Sequence, residues 1–208
     1  MTSRLALVGL LAALVGCQPS APAPAVDATD AAVAAPETTP APEPAPADEA
    51  AAAGYDERII NFGGYATARF NDDAEAVRRA FGAPLAATPP PASPQDCHYL
   101  MTRARGADGF GLAFMMEGGK FVRYDVDSRS IVAPGGLAVG SSADDVRAAF
   151  ADRISEQPHK YVEGAHVLVV RPAEGGEARL VFETDADGIV TSWRIGLEPQ
   201  VHYVEGCS

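Results

Sequence analysis

Apolar positions along the chain follow three regimes. Residues 5–15 form an unbroken apolar run, Leu5 to Val15, with Arg4 just before it. Residues 18–53 show neither helical nor strand periodicity: Ala, Pro, Thr and acidic residues dominate, and no apolar side chain exceeds Val26 and Val33. From Gly54 onward, short apolar stripes recur at helix and strand spacing.

Two stripes are helical. Val77, Ala80 and Phe81 lie at i, i+3 and i+4, as do Val146, Ala149 and Phe150. The first helix is expected to start at Asn71 or Asp72, with Asp72-x-x-Glu75 close to a capping box, and to stop near Gly82-Ala-Pro84. The second takes Ser141 or Ser142 as N-cap. Asn71 and Gly140 occupy matching positions, and both residue types tolerate positive φ. Other stripes alternate as strands do. Ala178, Leu180 and Phe182 oppose Arg179, Val181 and Glu183. Ile189, Thr191, Trp193 and Ile195 oppose Val190, Ser192 and Arg194. Val122, Tyr124 and Val126 oppose Phe121, Arg123, Asp125 and Asp127. Glu117-Gly-Gly119 and Asp185-Ala-Asp-Gly188 supply hairpin turns.

The pattern repeats. Residues 71–81 and 140–150 share Ala, Val, Arg, Ala and Phe at an offset of 69. Tyr99-Leu-Met101 precedes Leu168-Val-Val170 by 69, and Leu112-Ala-Phe114 precedes Leu180-Val-Phe182 by 68. The expectation is an α+β domain over 54–208. It consists of two tandem helix-then-antiparallel-strand repeats, about 64–128 and 132–206, forming a sheet with helices on one face. A disordered tether precedes it.

Composition sharpens the picture. The chain has 208 residues and a net charge of −12, which disfavours nucleic acid as a main ligand. The Ala/Pro-rich acidic segment cannot bury enough surface to offset chain entropy. Fully extended, it would reach roughly 110 Å. The apolar run at 5–15 is too short to span a bilayer and reads as the core of an export signal covering 1–16. It ends in Leu14-Val15-Gly16-Cys17, which resembles the lipobox of bacterial prolipoproteins. That resemblance implies acylation of Cys17, which heads the 17–53 segment and anchors the protein in outer-membrane lipid. Gln18, where Asp commonly marks inner-membrane retention, favours the outer membrane, on its periplasmic face or at the cell surface.

Val139 to Phe150 resembles the helix motif of the BamE (SmpA/OmlA) lipoprotein fold, which occurs doubled in the β-lactamase inhibitory protein. In that family the open sheet face often binds another protein. The resemblance implies a binding face here of Arg123, Asp125, Arg179, Glu183, Ser192 and Arg194.

In an oxidising compartment, Cys97 and Cys207 are expected to form a disulfide. Closing a loop of about 100 residues is worth up to about 4–5 kcal/mol in the chain-entropy model. A Cys97–His98 nucleophile is disfavoured, because adjacent strand residues face opposite ways. Glu183 to Gly188 fits the start of a calcium loop, but Arg194 stands where a bidentate Glu is needed, so a hairpin turn is favoured. His98, His159, His166 and His202 have no zinc spacing. Asp72-Asp73 and Asp144-Asp145 read as first-turn charges. No catalytic residue, metal site or cofactor is assigned.

Tyr161-Val-Glu-Gly164 recurs as Tyr203-Val-Glu-Gly206. The pair reads either as two similar turns or as a binding edge with His159. Trp193 reads as core or, if exposed, as a platform for a sugar ring. Together these residues point to a non-catalytic lipoprotein presenting a binding domain to an envelope protein. The alternative is a carbohydrate-binding, lectin-like lipoprotein using Trp193, Tyr161, Tyr203 and His159.

Overall fold

The computed structural model describes residues 54–102 and 109–207. The export signal, Cys17 and the proline-rich segment lie outside the described residues. The chain runs β1 (Ile60–Asn61), β2 (Gly64–Tyr65), β3 (Ala68–Arg69), α1 (Ala74–Phe81), β4 (Ala86–Thr88), β5 (His98–Met101), β6 (Leu112–Glu117) and β7 (Lys120–Val126). It continues through α2 (Ala143–Ala149), β8 (Ile154–Pro158), β9 (His166–Val170), β10 (Ala178–Thr184) and β11 (Val190–Leu197), then a 3-10 turn at Gln200–His202. Strands β1–β3 form a small sheet. The other eight form one sheet in the order β4-β5-β6-β7-β11-β10-β9-β8.

The α+β expectation is corrected by this architecture. The described residues are mostly β, and the two helices are only eight and seven residues long. Both helices are stopped early. Gly82 turns left-handed at φ 76° and its N–H caps the Arg78 carbonyl, while Phe150 leaves helical geometry and buries its ring. Helices this short depend on packing for their stability. Val77 and Val146 are buried in the core, but Ala149 is exposed, so the second stripe is Ala143, Val146 and Phe150. Helices therefore do not form a layer over the sheet. Ile60 and Ala68 of the small sheet, with Ala133 and Leu137 of the following loop, complete the cover.

Two helix-plus-four-strand halves meet edge to edge where β7 pairs with β11. Local bonding repeats between them. Asn71 N–H donates to the Phe121 carbonyl and Phe121 N–H to that of Asp72. In the second half, Gly140 N–H donates to Val190 and Val190 N–H to Ser141. Asn71 (φ 74°) and Gly140 (φ 99°) both adopt positive φ to make this junction. Because the backbones of Asn71 and Asp72 are committed to it, the N-cap of α1 falls on Asp73, whose carboxylate accepts from Ala76 N–H. Ser142 caps α2 in a full capping box with Asp145.

Strict alternation fails at two equivalent places. Met115 pairs with Arg123 but Met116 with Phe121, which leaves Val122 as the extra residue of a β-bulge. Glu183 pairs with Ser192 but Thr184 with Val190, which leaves Thr191 extra. Each bulge moves the preceding residue across the sheet. Phe121 and Val190 join the core, whereas alternation alone assigns them to the opposite face. Tyr124, Val126, Trp193 and Ile195 lie on the inner face with Leu100, Phe114, Leu168, Leu180 and Phe182. Burying each large apolar side chain is worth about 1.5–3 kcal/mol. Tyr124 meets Trp193 edge-to-face across the seam at 6.2 Å.

Candidate functional site

The second sheet face carries the charged residues of the central strands. Arg123 (3% exposed) and Arg194 (5% exposed) are buried there, beneath the C-terminal segment. Every N–H of Arg123 is engaged. Nε and Nη2 hold both carboxylate oxygens of Asp125, at 2.9 and 2.8 Å. Nη1 donates to the carbonyls of Gln200 and Tyr203, and Nη2 also to the Tyr99 hydroxyl. Burial alone would lower the Arg123 pKa, but Asp125 and Tyr99 outweigh it, so the charge is more firmly held than usual. Burial, then Asp125, pushes the Tyr99 hydroxyl well above its ordinary range. Tyr99 therefore keeps its proton while accepting from Arg123.

Arg194 is less fully engaged. Its Nε donates to the Val201 carbonyl at 2.6 Å and its Nη1 to Glu183 at 2.7 Å. Nη2 has no partner among the described residues. Glu183 also lies 3.4 Å from the Ser192 hydroxyl.

The C-terminal segment is tied down at three kinds of contact. The two guanidiniums bind its carbonyls. Val201 is fully buried in a dimple of Val167 and Val181, with Val169 packed against it. Cys97 and Cys207 form a disulfide, their Cα atoms 5.3 Å apart. Gly206 (φ 65°) is pressed against Tyr99, where an added Cβ would sit 2.5 Å from the hydroxyl oxygen.

Beside this segment the face opens into a cleft of about 220 Å³. Met101, Phe110 and Ala113 make its apolar floor, with Tyr99 packed against them. Arg123, Asp125, Glu183, Ser192 and Arg194 make its polar side, and Thr88, Pro89 and Val204 to Gly206 its rim. Five of the six residues assigned to the binding face thus converge. The sixth does not: Arg179 Nε binds Glu198 at 3.0 Å, and its Nη1 donates to the Gly176 carbonyl. The face is also not open, because the C-terminal segment covers both arginines. Sequence reading missed Tyr99, Met101, Phe110 and Ala113. The signal was present in the contrast between small Ala113 and its counterpart Val181.

The residues considered for glycan binding separate. Trp193 is 1% exposed, inside the core, and its indole N–H has no partner among the described residues. Tyr161 is exposed at the β8–β9 turn and its hydroxyl bonds the Glu205 carboxylate. The two Tyr-Val-Glu-Gly turns therefore touch. His159 holds its own turn: Nδ1 accepts from Tyr161 and Val162 N–H, so its proton sits on Nε2, 4.0 Å from Glu183. Tyr203 is half-buried and gives its carbonyl to Arg123. Asp185 Oδ1 accepts from Asp187 and Ile189 N–H, the bonding of a turn. Among the described residues, no helix is long and apolar enough to cross a membrane.

No protein-family model matches the chain, and no curated protein matches it. Three solved structures show a distant likeness. An uncharacterized protein, yfeY, from Escherichia coli has a TM-score of 0.45 at 13% identity, over 67% of this chain and 99% of its own. An extracellular protein containing a SCP domain from Bacillus anthracis has a TM-score of 0.41 at 15% identity; 62% of this chain spans 44% of that one. A DUF4309 family protein (YjgB) from Bacillus subtilis has a TM-score of 0.39 at 12% identity, over 61% of this chain and 79% of its own.

Proposed function

We propose that this chain is a non-catalytic, outer-membrane lipoprotein that holds a protein partner of the cell envelope on the second face of its sheet. Its lipid anchor is Cys17, and the proline-rich segment spaces the domain from the membrane. The observation that carries the reading is the surface around the cleft. Tyr161 and Val204 are 54% and 37% exposed and line one hollow at the C-terminal turn, and Val162, next to Tyr161 in the chain, is 46% exposed. Arg123 beneath the C-terminal segment is saturated by internal bonds, which makes a rigid frame under the turn that carries Val204. Such a rim suits a protein surface.

The test is crosslinking and capture with the full-length protein in detergent-solubilised envelope. One envelope protein is expected to be recovered with the wild type, lost with Val162→Asp and Val204→Asp, and retained with Ile59→Asp, an exposed apolar control elsewhere. Equal recovery with all variants rejects the reading. The glycan alternative now rests on Tyr161, whose ring is exposed beside Lys160. Loss of capture after glycan digestion, with no protein recovered, would favour it.

A further inference from the structure

Two hydrogen-bond donors line the cleft without an acceptor among the described residues. Arg194 is almost wholly buried. Its Nε is spent on the Val201 carbonyl and its Nη1 on Glu183, while its Nη2 hydrogens go to no described residue. The Tyr99 hydroxyl accepts from Arg123 and keeps its own proton, which donates to no described residue either. A donor shut away from water without an acceptor is costly, so both favour an incoming acceptor oxygen. Beside them Glu183 has lone pairs to spare: it takes one short bond from Arg194 and one long one, 3.4 Å, from Ser192. An acceptor oxygen with an N–H next to it, the two edges of a carboxamide, matches this wall.

The remaining walls set the size, shape and charge of the ligand. Met101, Phe110 and Ala113 are buried together and close the floor. A thioether and a phenyl ring there favour an aromatic face. A dry cavity of about 150 Å³ holds benzene, so the 220 Å³ of this cleft suits one ring with a small substituent. Asp125 already neutralises Arg123 and Glu183 neutralises Arg194, which leaves Glu205 as the excess charge of the lining. An anion is therefore repelled.

We infer that the cleft binds a small, flat, uncharged aromatic carboxamide. Its carbonyl oxygen accepts from Arg194 Nη2 and the Tyr99 hydroxyl, its amide N–H donates to Glu183, and its ring lies over Met101 and Phe110. This goes beyond the partner-binding reading and does not rest on it.

Titration of the full-length protein in detergent with 4-fluorobenzamide, followed by fluorine NMR against protein-free micelles, tests the cleft. A dissociation constant of about 1 mM or below is expected. 4-Fluorobenzoate, nearly the same shape but anionic, is expected to bind about tenfold more weakly or worse. Tyr99→Phe removes one donor and leaves Arg123 its bonds to Asp125 and two carbonyls; it is expected to weaken the amide about threefold to tenfold. Should that variant lose its fold, Ser192→Leu, which narrows the polar side, is expected to weaken it about tenfold. No binding up to about 10 mM, benzoate binding as tightly as the amide, or an affinity unchanged in the variants that fold overturns the inference. Such a failure beside a capture that depends on Val162 and Val204 leaves the partner-binding function standing.

Discussion

Single residues on this sheet do different work on its two faces. On the inner face, Trp193 buries its ring at the seam and leaves an indole N–H without a partner among the described residues, which costs about 1–3 kcal/mol against the gain from ring burial. On the second face, Arg123 gives away every donor it has, so its charge is structural. Glu156 on β8 offers a pH handle. Arg147 hydrogen bonds, followed by its charge and that of nearby His166, outweigh burial and hold the carboxyl below its ordinary value of 4.5. A carboxyl depressed in the folded state contributes stability above its unfolded pKa and loses it as pH falls through the folded value. The pair is solvent-screened, so the contribution is at most about 1 kcal/mol. Urea midpoints should therefore place Glu156→Gln slightly below the wild type at about pH 7, with the gap closing at about pH 3. A gap that widens in acid would contradict this assignment.

Among the elements, the β7–β11 seam is the joint on which both halves depend. Gly196 sits there opposite Arg123. A Cβ at Gly196 would fall 2.7 Å from the Arg123 Cβ and 2.8 Å from the Val122 carbonyl oxygen. Both obstacles are at or next to backbone, so neither can swing aside. Gly196→Ala is expected to cost about 1–3 kcal/mol, the range for overpacking. Thermal unfolding measures it, and Gly54→Ala, which has open space around the added carbon and no positive φ, controls for the lost glycine. The bulges belong to this scale too. Val122 and Thr191 leave the ladder at equivalent positions and keep Phe121 and Val190 in the core.

For the whole molecule, the C-terminal segment decides which surface is offered. It hides two arginines and fills the dimple of Val167 and Val181 with Val201. The disulfide joins Cys97 before β5 to Cys207, 110 residues later. Cys207→Ser is expected to lower stability by about 2–5 kcal/mol. Native-state hydrogen exchange should show Tyr203 and Gly206 amides less protected, while Leu180 and Phe182 in the central sheet change only with global stability. Unchanged protection at Tyr203 would mean that Arg123 and Val201 hold the segment without the bridge.

The local sequence marked the Ser142 cap and the hairpin turns, because caps and glycine turns act over a few residues, whereas the α1 cap moved to Asp73 through bonds to Phe121. It also marked the internal repeat and placed Cys97 and Cys207 as partners. The predominance of β structure was not legible: both stripes read as helices, but their lengths depended on where Gly82 and Phe150 could pack. The side of the sheet taken by Phe121 and Val190 was decided by bulges, and a bulge is a relation between two strands. The cleft arose in the same way. Met101, Ala113, Asp125 and Arg194 lie far apart along the chain and become neighbours through strand order. Only the folded C-terminal segment determined that Val201 would fill the dimple of Val167 and Val181 and that both arginines would be covered.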